Sequence, residues 1–332
     1  MATIERSGID PKWERRWKTT KRNGLSWLES LGVGNIQKLE EYVCNGIIQE
    51  DVEHLKEYPL PEVSPPYERW ERSGYHKSGL GMYAVMREFE FELKGMDGIW
   101  DSNLAMRAFA ASYTAQMSDL YLHHQFPNRF DGRILHMLGM EDVAFTALGV
   151  VLGCEEEAYR LARMQLVAYK AGYFIGGKKY YPVYTFILRI LADYLDEPPL
   201  ELEGEPLAEP VMQALFDAWR TPEPEALIDV CLAACDYHTQ RCKNGNAKHF
   251  YEFESFNWTQ TPIEILLLFK LRQLLGLQNP RLDHPLMNTA LGTLPEEIPF
   301  QPDDMISRVR ARMQQDGYDE DKIYQFVCGI PG

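Results

Sequence analysis

The residues whose types could do chemistry are few. Cys231, Cys235, His238 and Cys242 recur at steps of four, three and four. On a helix this spacing is one continuous face. Eleven residues at about 1.5 Å each put the outer cysteines roughly 16 Å apart. Zinc ligands must all lie within about 2.0–2.3 Å of one ion, so one straight helix cannot close a four-ligand site. The face reads instead as a buried stripe of small apolar side chains with one satisfied histidine, and no metal is expected. His123 and His124 are adjacent and point about 100° apart on a helix, so they do not share a metal face. His136 and Glu141 could pair only through the fold. Gly176, Gly177 and Lys178 follow a helix rather than preceding one, and there is no GxxxxGK[ST], GxSxG or HExxH motif. No cofactor is expected.

A second constellation is HFYEFESFNW, residues 249–258, where five aromatics stand with Glu252 and Glu254. As a functional surface it is a rigid aromatic and acidic patch for a partner, with Trp258 as an anchor. As a structural feature it fills the core beside an apolar helix while its glutamates face water or pair with Arg or Lys. Both readings stay open. The same carboxylates could serve acid–base catalysis, but nothing else in the sequence supplies a nucleophile.

Helices must position these residues. Residues 82–94, MYAVMREFEFELK, alternate like a strand at Phe89, Phe91 and Leu93, but the long unbroken stretch favours a helix. Asp101 or Ser102 caps a helix that ends before Pro127. A second runs from Ile134 or Asp142 through Val151 and stops near Gly153. Glu155, Glu156 and Glu157 open a third, which fades at Gly176 and Gly177, and Pro182 opens a fourth. Helices resume at Val211–Trp219 and Pro224–Lys243. Thr261 is the predicted N-cap of the apolar helix TPIEILLLFKLRQLLGL, with Pro262 at the first position, Glu264 completing a capping box and Gly276 as the stop. This helix should be central to the core. Near the N-terminus, Trp27–Leu31 extending into Gln37–Cys44 and then Gln49–Glu57 read as helical, before Pro59, Pro61, Pro65 and Pro66. The expected organisation is a charged helical region with a Pro-rich linker over 1–66 and an all-α domain over 67–332. The fold class is all-α, a helical bundle or an array of antiparallel helix pairs.

The 332 residues hold 34 Lys plus Arg and 49 Asp plus Glu, a formal net charge of −15. Such a balance argues against nucleic-acid binding through phosphates, which needs clustered cations. It suits a basic protein partner, because opposite fields speed encounter. The N-terminus has no apolar h-region and no segment approaches the roughly 20 apolar residues of a membrane span, so no membrane association is expected and the cytoplasm is the default location. The six cysteines then do not imply a disulfide framework. Residues 196–210, DEPPLELEGEPLAEP, form an acidic loop containing Asp196, Glu197, Glu201, Glu203 and Glu205. The carboxylates of 296–304 (Glu296, Glu297, Asp303, Asp304) and 316–321 are further candidate contacts, though any such cluster also reads as a solvated surface.

Two segments carry a resemblance. The first is DVAFTALGVVLGCEEEAYRLARMQL, residues 142–166. The second is HFYEFESFNWTQTPIEILLLFKLRQLLGLQNPRLDHPLM, residues 249–287. Their order resembles the PoNi-type immunity proteins that accompany bacterial polymorphic nuclease toxins, over roughly residues 80–290. The resemblance implies an all-α fold. It also implies inhibition of a cognate toxin effector by tight binding, with no chemistry of the chain's own. The expected toxin is a basic nuclease secreted by a contact-dependent or type VI system. The contact candidates are Glu252, Glu254, Trp258, Asp196, Glu197, Glu201, Glu203 and Glu205. Self-association as a homodimer stays open. The rival readings are an α-helical enzyme with a His/carboxylate site using His123, His124 or His136, and a helical adaptor that scaffolds other proteins.

Overall fold

The structure is a computed structural model that describes residues 6–45, 75–125, 142–170, 181–200, 209–243, 245, 249, 251–253, 258–315 and 317–329. These residues are all-α, with eleven α-helices and no strand among them. In chain order the helices are α1 (Trp13–Asn45), α2 (Tyr75–Met96), α3 (Ser102–Gln125), α4 (Asp142–Leu152), α5 (Glu155–Lys170), α6 (Pro182–Tyr194), α7 (Pro210–Ala218), α8 (Ile228–Arg241), α9 (Ile263–Leu274), α10 (Asp304–Gln315) and α11 (Glu320–Cys328). No helix among the described residues is long and apolar enough to cross a membrane.

Two helices form the centre because their sequences are apolar all round. Every residue from Val143 to Leu152 of α4 is buried, and so is every residue from Ile263 to Arg272 of α9. The two pack on each other; α3, α5 and α6 cover α4, while α6 and α8 cover α9. Burying a Leu, Ile, Val or Phe side chain contributes about 1.5–3 kcal/mol, so this pair dominates the apolar core. At Gly149 of α4 a Cβ would stand 2.4 Å from the Phe109 ring of α3, so only glycine permits this approach. Both central helices end in the same way. Gly276 (φ 72°) follows α9, where Leu277 N–H donates to Arg272 O and Gly276 N–H to Gln273 O, each at 2.9 Å. This paired closure satisfies carbonyls that the helix leaves open.

Several elements differ from their sequence expectations. The 82–94 stretch is helical, as its length argues, and its alternation reflects α2 being covered on more than one side: by α1, by α3 and by the turn at Ala290–Gly292. The N-terminal helix starts at Trp13 rather than Trp27, because Trp13 and Trp17 are buried at its beginning. Gln49–Glu57 and the proline run 59–66 lie outside the described residues, so the boundary at 66 does too. The 33 residues of α1, about 50 Å at 1.5 Å per residue, dock directly on α2 and α10. Ahead of α1, residues 6–10 strap onto α8. Arg6 donates to both Asp236 oxygens (2.9 and 3.1 Å), Gly8 N–H donates to Asp236, and Asp10 N–H donates to Thr239 Oγ1 at 3.0 Å.

The capping box predicted at Thr261 and Glu264 does not form. Pro262 occupies the N-cap position with no side-chain cap, and Ile263 N–H bonds back to Thr261 O at 2.7 Å in a tight turn (Pro262 φ −73°, ψ 66°). Glu264 turns inward to His238 instead, because a buried ring flanked by acceptors claims the carboxylate more strongly than a backbone N–H does.

Candidate functional site

Residues 251–253 and 258–264 belong to the two regions that the sequence singles out, and the fold turns most of them inward. Glu252 has no exposed side-chain surface. One of its oxygens accepts Val183 N–H at 3.0 Å and so caps the N-terminus of α6 from a distance; the other pairs with Arg241 of α8. Tyr184 O–H donates to the Glu252 carbonyl at 2.7 Å. Burial pushes the Glu252 carboxyl up, and the Arg241 charge opposes that. Tyr251 lies under the Arg241 guanidinium, 4.9 Å from ring centroid to charge centre. Phe253 is buried and stacks on the His238 ring at 3.9 Å between centroids. Trp258 is fully buried, edge-on to Phe145 of α4, and holds φ at 57°, the left-handed region.

Four carboxyls orient this turn. Glu88 accepts Trp258 N–H at 2.9 Å. Glu92 accepts Gln260 N–H (2.9 Å), Thr261 N–H (3.0 Å) and Thr259 O–H (3.0 Å). Glu264 meets His238 Nδ1 at 2.9 Å, while His238 Nε2 meets Trp258 O at 2.9 Å. Glu252 is the fourth. The acceptors dictate the protonation of His238. Nε2 faces a carbonyl, so it must donate, and Nδ1 faces a carboxylate, so the doubly protonated ring suits the site. Burial pulls its pKa down, but Glu264 and Cys242, through charge and hydrogen bonds together, hold it well above the ordinary histidine value. His284 takes the opposite state. Its Nδ1 accepts Leu286 N–H at 3.1 Å and its Nε2 lies 3.2 Å from Asp236, so the ring is neutral, and burial lowers its pKa. Both nitrogens of both rings are engaged within the chain, so neither ring as placed can accept a substrate proton. The chemistry here is the orientation of backbone by buried charge.

Cys231, Cys235 and Cys242 are buried on and beside α8 with His238 among them, which is the stripe expected of them. Burial pushes the Cys231 thiol up to about 12, so it is not a thiolate.

The predicted contact residues separate by depth. Glu252 and Trp258 are interior, so a partner cannot touch them in this conformation; the need of α6, α8 and Glu88 for hydrogen-bond partners draws them in. Glu254, Glu201, Glu203 and Glu205 lie outside the described residues. Asp196 is exposed and takes the left-handed position (φ 57°) that closes α6, with Glu197 N–H donating to Ala192 O at 2.9 Å. Glu197 pairs with Arg163 at 3.0 Å. Of the other acidic groups, Asp303 caps α10 through Ile306 N–H (3.0 Å), and Glu297 pairs with Lys270. Asp319 caps α11 through Lys322 N–H (3.1 Å), and Asp321 pairs with Arg160 (2.9 Å). Among the rival histidines, His123 and His124 sit in the last turn of α3 with side chains outside the described set, and His136 and Glu141 lie outside the described residues.

The sequence reading missed Glu88 and the inward role of Glu92. A signal was present: they are one helical turn apart in REFEFELK, flanking Phe89 and Phe91, and share a face, whereas Glu90 points to Arg87 outside. It also missed Arg6–Asp236–His284, whose members are 48 to 230 positions apart.

The chain matches no protein-family model, and no curated protein or solved structure is significantly similar to it.

Proposed function

We propose that this chain is an immunity protein that neutralises a cognate bacterial toxin effector by direct binding. The effector is a basic nuclease of a contact-dependent or type VI secretion system, and the encounter takes place in the cytoplasm. One observation supports the reading beyond the resemblance: exposed carboxylates accompany a net charge of −15. Arg6, Arg87, Arg160, Arg163, Arg220, Arg241, Arg308 and Arg310 are tied into ion pairs within the chain. Asp196, Glu223, Glu225, Asp229, Glu296 and Asp304 are exposed. Each ion pair cancels, and exposed cations such as Lys12, Arg15, Arg107 and Arg281 are present as well, so the excess of negative charge is the −15 of the whole chain. A helical body of this kind offers a preformed anionic face, which speeds encounter with a basic enzyme and competes with nucleic acid for it.

The contact surface in this reading is the exposed acidic loops, not Glu252 or Trp258. Co-expression with the product of the neighbouring reading frame tests it. The expected result is a stoichiometric complex and restored growth. Reversing Asp196, Glu197, Glu201, Glu203, Glu205, Glu223 and Glu225 to lysine should slow association at low salt, with a smaller effect at high salt. Full protection by the reversed variant removes the electrostatic part of the proposal. Absence of any complex removes the whole.

A further inference from the structure

Glu88 and Glu92 are one turn apart on α2, both with 0 % of their surface exposed. Each reaches the same four-residue turn, 258–261. Neither forms an ion pair with Lys or Arg among the described residues. The titratable group that faces Glu92 is Cys242 just past the end of α8, and His238 of α8 and Glu264 of α9 lie beside Cys242 in turn. From α1 the neighbour is the Trp17 ring, edge-on to Phe89. Two carboxylates this close in a dry interior cannot both carry charge.

Counting donors shows which one is ionised. The Glu92 oxygens accept three N–H or O–H groups, the pattern of a carboxylate. Glu88 accepts one N–H at Oε1, and its buried Oε2 has no partner. That bare oxygen is where a proton belongs. We propose that Glu88 and Glu92 form a one-proton latch on the 258–261 turn, so that loss of the Glu88 proton as pH rises loosens the turn from α2. The direction of the titration agrees. Burial, with the Glu92 charge second, holds the Glu88 carboxyl well above the carboxylate range, and burial raises Glu92 to about 7. Both carboxyls bind protons more tightly folded than unfolded. The stabilisation from Glu92 is therefore complete below its ordinary value of 4.5 and declines up to about 7; that of Glu88 declines over a range that continues higher.

Hydrogen exchange at the Trp258, Gln260 and Thr261 amides of the full chain, corrected for intrinsic exchange, tests the latch. Their protection should fall from pH 6 to pH 9 by up to about tenfold per pH unit, while amides within α11 change less. In Glu88→Gln the latch can no longer release a proton there, so the fall should shrink to the part that Glu92 and His238 supply. This variant separates Glu88 from His238, whose deprotonation also acts on the Trp258 carbonyl with the same sign. Difference infrared spectroscopy of the unmodified chain needs no variant: a protonated-carboxyl C=O band should be present at pH 7 and should disappear on raising the pH with the same midpoint as the exchange. Flat protection across pH 6–9, an undiminished fall in Glu88→Gln, or no carboxyl band at pH 7 would each overturn the proposal.

Discussion

The 251–264 segment and the acidic loops around α6, α10 and α11 use the same two residue types for different ends. Inside, Glu88, Glu92, Glu252 and Glu264 are stripped of water, and each is answered by backbone N–H groups, an arginine or a histidine ring. Outside, Glu197, Asp319 and Asp321 sit half in water, cap a helix or pair with one cation, and keep a hydrated face. Depth decides the difference. A carboxylate in water gains little from a partner, whereas one in the interior is costly unless a partner or a proton answers its charge. Buried carboxylates of this chain therefore order the backbone, and only the shallow ones are available to another molecule.

The largest test of that contrast is Glu252→Ala. It takes the buried carboxylate away from Arg241, which is 17 % exposed, and uncaps Val183, so a loss of about 3–5 kcal/mol in urea unfolding is expected. A loss no greater than that of a surface mutant would erase the distinction. Arg6→Ala should cost about 2 kcal/mol, because Asp236 is buried and would keep only Gly8 N–H and His284 besides its helix neighbours.

The pH dependence should separate the two groups by sign. Asp10 is lowered to about 2 by bonds to Arg16, Lys12 N–H and Lys243, despite an opposing burial cost. Its contribution is present above its ordinary value of 3.8 and is lost as pH falls toward 2. Glu92, raised to about 7, contributes in the opposite sense, and so does His238, whose raised pKa means stability lost as pH rises. The melting temperature should therefore peak in weak acid and decline both below pH 4 and through neutrality. A plateau from pH 5 to 9 would contradict the buried assignments.

Glu197→Ala breaks a half-exposed pair with Arg163, and a change of no more than about 1 kcal/mol is expected. Asp196→Gly relieves a left-handed residue and should stabilise by a few tenths of a kcal/mol, up to about 1. If the same substitution weakens effector binding, stability and recognition are separated at one position.

Much of the architecture was readable before any coordinates. Pro182 at the start of α6, the glutamates opening α5, the all-apolar runs of α4 and α9 and the glycines closing them are local instructions, each acting within a turn or two. Where local rules failed, a distant residue intervened. Thr261 looks like a cap, but its N–H goes to Glu92, 169 positions away, and Glu264 goes to His238 rather than back along its own helix. The HFYEFESFNW stretch was ambiguous for the same reason: aromatics with glutamates suit a surface or a core equally well.

Composition and short-range spacing were thus enough to specify helices, their ends and an outward excess of negative charge, since those depend on backbone geometry and on counting. Which carboxylates would be dry was settled only by packing. Glu88, Glu252 and Asp236 owe their burial and protonation to groups brought beside them by the closed fold, and no pattern along the chain records what will lie across from a side chain once water has been excluded.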